Sequence, residues 1–312
     1  MQSEGGRRPI VSVGMPVYNG ERYLASAIES ILGQSFEDFE LIISDNGSSD
    51  GTQEIAREYL GRDPRVRYVR VEVNRGAMWN FNEVFAQARG EFFKPAAHDD
   101  LHAPVFLERC VEAFREAPSS VVLVYPRTNL IDENDAVTAL YDDGLDLRAR
   151  EATERLRVYL ANVQMVNALF GVHRREAFAS TRWFQSFVSA DIVLLAELAM
   201  RGEFWELPEP LFFRRDHVGR SERAHASTAE LAKFYDPARV HRASGKRLAQ
   251  FVGLLRAARE APLTNSERFA CAGIVLSDFG YRYKGAVARE AAATIRARFS
   301  RPERSSSSKR AA

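Results

Sequence analysis

Phe92-Phe93-Lys94-Pro95-Ala96-Ala97-His98-Asp99-Asp100 is a short, mostly apolar run that stops at two adjacent carboxylates. A run of this length reads as a buried strand, and acids at its carboxyl end stand where an open α/β sheet holds its ligands. Paired acids in that place suit a hard divalent cation, which takes oxygen ligands and is commonly held by one or two protein carboxylates. Phosphates of a bound substrate then complete its shell.

Around this stretch, strand and helix alternate. Ile10–Met15 reads as a strand, and Leu24, Ala27, Ile28, Ile31 and Leu32 recur at the spacing of an amphipathic helix. Phe39–Ser44 is the next strand, followed by a Gly/Ser/Asp loop from Asp45 to Gly51 and a helix marked by Ile55, Ala56 and Tyr59. Val66–Val71 is a third strand, after which Asn74-Arg75-Gly76 turns into a helix with Phe81, Val84, Phe85 and Ala88 inward. Phe92–Ala96 is the fourth strand; a helix from Pro104 to Ala117, with proline in its first turn, and a strand at Val121–Tyr125 follow. The alternation predicts an α/β fold with a mostly parallel central sheet, right-handed crossovers and flanking helices.

Thr128 to Arg150 is polar and irregular and reads as a surface excursion. Then come a helix near Ala152–Leu160, an apolar segment Met165–Val172, and a strong helix across Ile192–Met200 announced by Ser189 and Asp191. Glu203–Arg215 is extended and aromatic-rich despite Pro208 and Pro210. Past Asp236 the chain becomes Ala/Arg/Leu-rich and helical, with Leu248, Phe251, Val252, Leu254 and Leu255 on one face. The expected organisation is a main α/β unit over 1–236, with a first half ending near 100 and a second half covering 101–236. An appended helical region occupies 237–300, and a disordered tail 301–312 carries Ser305 to Ser308 among basic residues.

Composition narrows the function. With 46% apolar and 27% charged residues in 312, the chain can bury a substantial core. Its 43 Lys and Arg balance 42 Asp and Glu, which argues against nucleic acid as a partner and against bulk attraction to a membrane. Cys110 and Cys271 lack metal-ligand spacing and read as buried thiols. The polar N-terminus, and the absence of any apolar run near the ~18 residues a membrane span needs, predict a cytoplasmic protein. No G-x-G-x-x-G fingerprint is present, which argues against a nicotinamide enzyme, and Val13–Asn19 lacks the Gly-rich triphosphate loop of a sugar nucleotidyltransferase.

Met15-Pro16-Val17-Tyr18-Asn19-Gly20, the loop Asp45 to Thr52, Asn74-Arg75-Gly76 and His98-Asp99-Asp100 occur in order on alternating strand ends. In that order and spacing they resemble the family 2 inverting glycosyltransferases of the GT-A, or nucleotide-diphospho-sugar transferase, fold. The likeness runs from Pro9 to Ser221, roughly two thirds of the chain. It implies a catalytic unit whose first half, to about 100, binds a nucleotide-sugar donor and whose second, 101–236, takes the acceptor, together with a divalent metal, Mg²⁺ or Mn²⁺. Pro16, Tyr18, Glu21, Asn74 and Arg75 would line the donor pocket, and Asp45 would meet the base, an acid there suiting the N3–H of UDP or dTDP. Asp99 matches the metal-binding acid of the D-x-D signature, although Ala97 stands where the first acid is expected, leaving Asp100 as a weaker second ligand or a cap for the next helix. His98, adjacent to Asp99 on extended backbone, would point away from the metal, towards a sugar hydroxyl or into packing. In Phe212-Phe213-Arg214-Arg215-Asp216-His217, Arg215 would neutralise the leaving diphosphate, His217 would add a metal ligand, and Arg214 would face solvent.

Inverting transfer needs one acceptor-side base, and the resemblance assigns it to Asp191. Its position in a first helical turn favours the ionised form. The acceptor would be a hydroxyl of a carbohydrate, lipid-linked or small-molecule substrate in glycan, glycolipid or cell-surface polysaccharide synthesis. Ala97 motivates one alternative, a catalytically inactive nucleotide-sugar-binding protein. Asp50 with Gln53 forms a capping-box pattern, and the three tryptophans read as packing residues, Trp183 being the best placed to stack on a sugar. The helices past Val240, with Arg239, Arg242, Lys246, Arg247 and Arg256 beside an apolar face, read as packing on the catalytic unit or a second subunit, with peripheral membrane contact as the alternative.

Overall fold

Strand β1 (Val11–Val17) is buried along its whole length: Val11, Val13, Met15 and Val17 enter one apolar core, and on the other face Gly14 lies against Val84 and Phe93 of a second. It lies between β2 (Phe39–Asp45) and β4 (Phe92–Pro95), and β3 (Val66–Arg70) adds outside β2, all four parallel. The computed structural model describes residues 8–219, 228–238 and 245–299. Ser221, Arg239, Val240, Arg242 and the tail 301–312 therefore lie outside the described residues. Three crossover helices, α1 (Leu24–Leu32), α2 (Thr52–Arg62) and α3 (Ala77–Ala86), join these strands.

The period-2 alternation of a strand divides the deciding stretch between the cores. Phe92 joins Val13, Met15, Leu24, Ile28 and the residues of α4 (Phe106–Glu116), while Phe93 joins Val84, Phe85 and Phe178 on the opposite face. Complete burial of a Phe of this kind stabilises by about 1.5–3 kcal/mol.

Beyond β4 the sheet departs from a purely parallel plan. The order is β3-β2-β1-β4-β8-β6-β9-β5, where β5 is Leu101–His102, β6 Val121–Ile131, β8 Val172–Arg174 and β9 Glu203–Arg215. β8 is a three-residue strand antiparallel to both β4 and β6, so β4 and β6 are not neighbours. The apolar segment Met165–Val172, whose structure the sequence left open, supplies a 3₁₀ turn (Asn167–Phe170) and the start of this strand.

The expected surface excursion from Thr128 is corrected in part. β6 runs on to Ile131 and pairs with β7 (Val137–Tyr141) as a hairpin that turns through Asp135 at φ 69°. Two expected caps also differ. Asp50 accepts from Thr52 N (3.1 Å) and Glu21 N (3.1 Å) instead of closing a box with Gln53. Asp100 accepts from Arg215 N (2.8 Å), well before the start of α4.

Helices α5 (Ala152–Asn162), α6 (Arg175–Ala179) and α7 (Ala190–Arg201) pack on the Phe93 face. After α8 (Thr228–Tyr235) come α9 (Lys246–Glu260), α10 (Asn265–Ile274), a π-helical turn (Val275–Gly280) and α11 (Lys284–Phe299). Leu254, Ala257, Ala258, Cys271, Val275 and Phe279 from these last helices share one apolar cluster with Val193 and Leu194 of α7. Cys110 and Cys271 are free and buried. Among the described residues no helix is long and apolar enough to cross a membrane.

Candidate active site

The parallel strands β2, β1 and β4 bring their carboxyl ends side by side, and the turns leaving them interlock. After β1 the chain turns at Asn19 (φ 50°). Its backbone N–H donates to Ser48 Oγ (2.9 Å), and its side-chain oxygen accepts from Ser49 N (2.9 Å). Gly20 N donates to Thr52 Oγ1 (2.9 Å), and Glu21 Oε2 accepts from Gly51 N (2.8 Å) at the start of α2. Gly20 has no room for a side chain, since a Cβ would stand 2.6 Å from both Val17 and the His98 ring. His98 thus packs across the β1 turn. Pro16 is buried in β1 opposite Ser44, and Tyr18 is 43% exposed at the rim.

Asp45 ends β2 and is sealed from solvent. Its Oδ1 accepts from Ser48 N (2.9 Å), while Oδ2 accepts from the Tyr68 hydroxyl (2.8 Å) and Arg70 Nε (3.1 Å). Burial and the adjoining Asp45 charge push the Tyr68 hydroxyl up from its ordinary value, so it stays a donor. The carboxylate therefore pins the 46–48 turn in this structure and does not open to a cleft. Asn46 ties this turn to the next: its amide nitrogen donates to Asn74 Oδ1 (3.0 Å) and Gly76 O (3.1 Å), and its oxygen accepts from Arg75 N (3.0 Å). The exposed Arg75 guanidinium lies over the Trp79 ring at 4.8 Å.

Asp99 meets His217 across 118 positions of sequence, with Oδ2 and Nε2 2.9 Å apart. The two side chains are 18% and 10% exposed. Burial alone would raise the Asp99 carboxyl, but the charge of His98 and the hydrogen bond and charge of His217 outweigh it and hold the group below the usual carboxylate range. The two atoms share a hydrogen bond here; with the imidazole neutral and that proton released, Asp99 Oδ2 and His217 Nε2 would serve one divalent ion together. Among the described residues no group of three or more His, Cys, Asp or Glu is placed to hold a metal, so substrate phosphates would have to complete the shell.

Arg215 is 2% exposed and faces protein acceptors. Its Nε donates to Asp99 O (2.8 Å), its Nη1 donates to Asp132 O (3.2 Å) and pairs with Asp135, and its guanidinium lies 4.5 Å from the Tyr23 ring. The His217 ring sits 4.9 Å from the same tyrosine. Arg214, expected in solvent, instead donates to Asn167 Oδ1 and lies close enough to draw on Asp143, which corrects that expectation.

Asp191 stands in the first turn of α7 and accepts from Ile192 N (2.9 Å) through Oδ1. The preceding Ser189 is left-handed (φ 65°) and caps nothing with its side chain. Tyr159 of α5 donates to Ile192 O (2.7 Å); burial first, then the charges of Asp191 and Asp143, push its hydroxyl well up. Trp183 packs edge-on against Phe85 at 4.8 Å and donates to Ala179 O, so it behaves as a packing residue.

The structure thus joins the β1 and β2 turns and the 74–76 turn into one hydrogen-bonded surface, and it brings Asp99 to His217. Sequence reading missed Tyr23, the platform beneath Arg215 and His217, together with Asp135 and Asn46. The only sequence signal for Asn46 was its place beside Asp45; for Tyr23 and Asp135 there was none, because both partners are distant in the chain.

Over residues 12–178 the sequence matches the family described as Glycosyl transferase family 2. It is 31% identical over 136 residues to the Chondroitin synthase of Escherichia coli, covering 44% of this chain and 20% of that protein. It is 30% identical over 142 residues to Glycosyltransferase GlyG of Streptococcus pneumoniae, covering 46% of each. The chain spans less than half the length of the curated relatives it matches. Among solved structures, S. aureus TarS 1-349 in complex with UDP-GlcNAc superposes with a TM-score of 0.64 at 16% identity, covering 92% of this chain and 81% of that one. A mannosyltransferase from Pyrobaculum calidifontis in complex with GDP-Man and Mn²⁺ gives 0.51 at 17% identity, covering 95% and 77%. The fold is GT-A, with helices added at its C-terminal end.

Proposed function

The chain belongs to glycosyl transferase family 2, and on that premise we propose that it moves a sugar from a nucleotide diphosphate donor to a hydroxyl acceptor with inversion at the anomeric carbon. The observation that carries this reading is the Asp99–His217 pair. It puts an ionised carboxylate and an imidazole together at the carboxyl end of β4, beside the turns that would hold a nucleotide. A divalent ion bound there would supply charge stabilisation to the departing diphosphate.

The chain's own groups account for the rest. Tyr18, Glu21, Asn74 and Arg75 present the donor surface, and Pro16 and Asp45 fix the turns that shape it. UDP is preferred to dTDP, in keeping with the nucleotide in the TarS complex. Arg215 contributes by holding the Asp99 backbone and the Asp100 carboxylate in place, which differs from a direct contact with the diphosphate. In the reaction, the acceptor oxygen attacks the anomeric carbon from the side opposite the diphosphate. The carbon–diphosphate oxygen bond breaks, and the acceptor's proton passes to the Asp191 carboxylate. Acceptors are carbohydrate, lipid-linked or small-molecule hydroxyl compounds.

Transfer assays with UDP- and dTDP-sugars in the presence of Mn²⁺ test this. Asp191→Asn is expected to cut turnover by about 10²–10⁴-fold while donor binding persists. Donor binding by the wild type without turnover towards any acceptor would favour the non-catalytic binding protein suggested by Ala97.

A further inference from the structure

The segment between α6 and α7 delivers Asp191, and it is held by groups from outside itself. Two of its residues, Trp183 and Ser189, are left-handed non-glycines (φ 57° and 65°), a conformation that persists only where surrounding contacts enforce it. At its start Arg182 is locked to the buried Glu197 of α7, Nε to Oε1 at 2.6 Å and backbone N to Oε2 at 2.8 Å. Its Nη2 donates to Gly253 O of α9 (2.9 Å). At its centre one side chain of the donor half takes hold. Asn82 of α3 accepts from Phe184 N (3.0 Å) and donates to Phe184 O (2.9 Å), a two-point clasp between residues 102 apart in sequence. Phe81 adds a ring contact to Phe184 at 4.8 Å.

Helix α3 starts where the Asn74-Arg75-Gly76 turn ends, so the clasp joins the element that follows a donor-side turn to the segment that positions the base. The amide satisfies a backbone donor and acceptor that the irregular segment leaves outside any helix or sheet, and neither partner can move without breaking two hydrogen bonds. Resting on the assignment of Asp191 as the base, we propose that Asn82 is a positioning residue for catalysis. It fixes the 181–189 segment against the donor half and thereby sets where the Asp191 carboxylate meets the acceptor hydroxyl.

The test is steady-state kinetics of the full chain with Asn82→Ala, Asn82→Gln and Arg155→Met, alongside Asp191→Asn. Displacement of a catalytic group by about an ångström costs on the order of 10²-fold. Asn82→Ala should therefore lower kcat by about 10–100-fold, with affinity for UDP unchanged within about twofold. Asn82→Gln, which keeps an amide on a longer arm, should recover part of the loss. Arg155→Met loosens the opposite end of α7, where Arg155 Nε donates to Ala199 O (2.7 Å). It should lower Tm at least as much as Asn82→Ala while leaving kcat within about threefold. The inference is overturned if Asn82→Ala keeps wild-type kcat, or if kcat falls in step with Tm across both variants. It also falls if UDP affinity drops as far as kcat. Full turnover in Asp191→Asn would remove the base assignment itself, a result distinct from loss of the clasp alone.

Discussion

Asp143 is 5% exposed, and neither of its carboxylate oxygens reaches a hydrogen-bond partner, although the Asn167 backbone N–H lies near. Burial raises its pKa from an ordinary 3.8 to about 7; Arg214 pulls it down, and Glu206 and Asp142 push it up. A carboxyl that binds its proton more tightly when folded adds most to stability below pH 3.8, and that contribution drains away as the pH climbs to about 7. Above that pH the folded protein carries the full cost of a buried charge. Asn mimics the protonated form, so Asp143→Asn should stabilise by about 2–4 kcal/mol at pH 8, with the gap narrowing towards pH 5. Urea melts at the two pH values check this, and a gap that widens towards pH 5 would refute the assignment. Lys94 shows the mirror case inside the stretch that decides the fold. Wholly buried, it donates to His102 Nε2 (2.8 Å), and burial lowers it to about 7. In the sequence Lys94 was one cation inside an apolar strand and Asp143 one acid in a polar loop. Nothing local told which acids and cations would be enclosed, because enclosure is set by partners from other elements.

At the scale of elements, β9 acts as a strap. It pairs with β6 over most of its length, and at its end Arg215 reaches the 99–100 turn, the β6–β7 hairpin and the Tyr23 ring together. Removing a buried charge that several acceptors share leaves those acceptors stranded, so Arg215→Met should destabilise by about 2–4 kcal/mol. It should also weaken Mn²⁺-dependent UDP binding, since Asp99 and His217 lose their common support. Arg215→Lys should rescue little of either, because one ammonium cannot reach acceptors on separate elements. Thermal melts and calorimetric UDP titrations with and without Mn²⁺ measure both effects, and unchanged metal dependence in Arg215→Met would show that the strap does not serve the site. The strand itself was readable from residues 203–215, where Phe204, Phe212 and Phe213 outweighed two prolines that the structure accommodates at shifts of register. The β6–β7 hairpin was not readable. Val137 and Leu140 are 57% and 60% exposed, so the β7 arm buries no face and leaves no alternating pattern. β8 was too short for any pattern, and with it went the antiparallel step in the sheet order. The turns after β1, β2 and β3 were legible because each joins a strand to a helix with Gly, Asn and Asp at fixed offsets, whereas the 181–189 segment depends on Asn82 and Gly253 from far along the chain.

The whole molecule distributes its stability differently from its motifs. The sequence suggests a catalytic unit over 1–236 followed by an appendage, yet the apolar face of α7 is covered by α9 and the helices after it. Gly253 allows close approach there, since a Cβ would stand 3.1 Å from Val193 and 3.2 Å from Phe187. Leu254, Ile274, Val275 and Phe279 belong to the same cluster as Val193 and Leu194. Four large side chains worth about 1.5–3 kcal/mol each rival the whole ~5–15 kcal/mol margin that keeps a protein folded. The same helices hold Arg182 through Gly253 O, so they reach the segment ahead of Asp191 as well as the core. A chain ending at Asp236 should therefore lose its cooperative melt and its near-ultraviolet circular dichroism, and become sensitive to protease across α5 and α7. A truncated protein that melts at the wild-type temperature would restore the picture of a self-sufficient unit with a dispensable extension. If that truncated protein also kept its UDP affinity but turned over slowly, the helices would act on the acceptor side alone, as their contact with the segment before α7 implies.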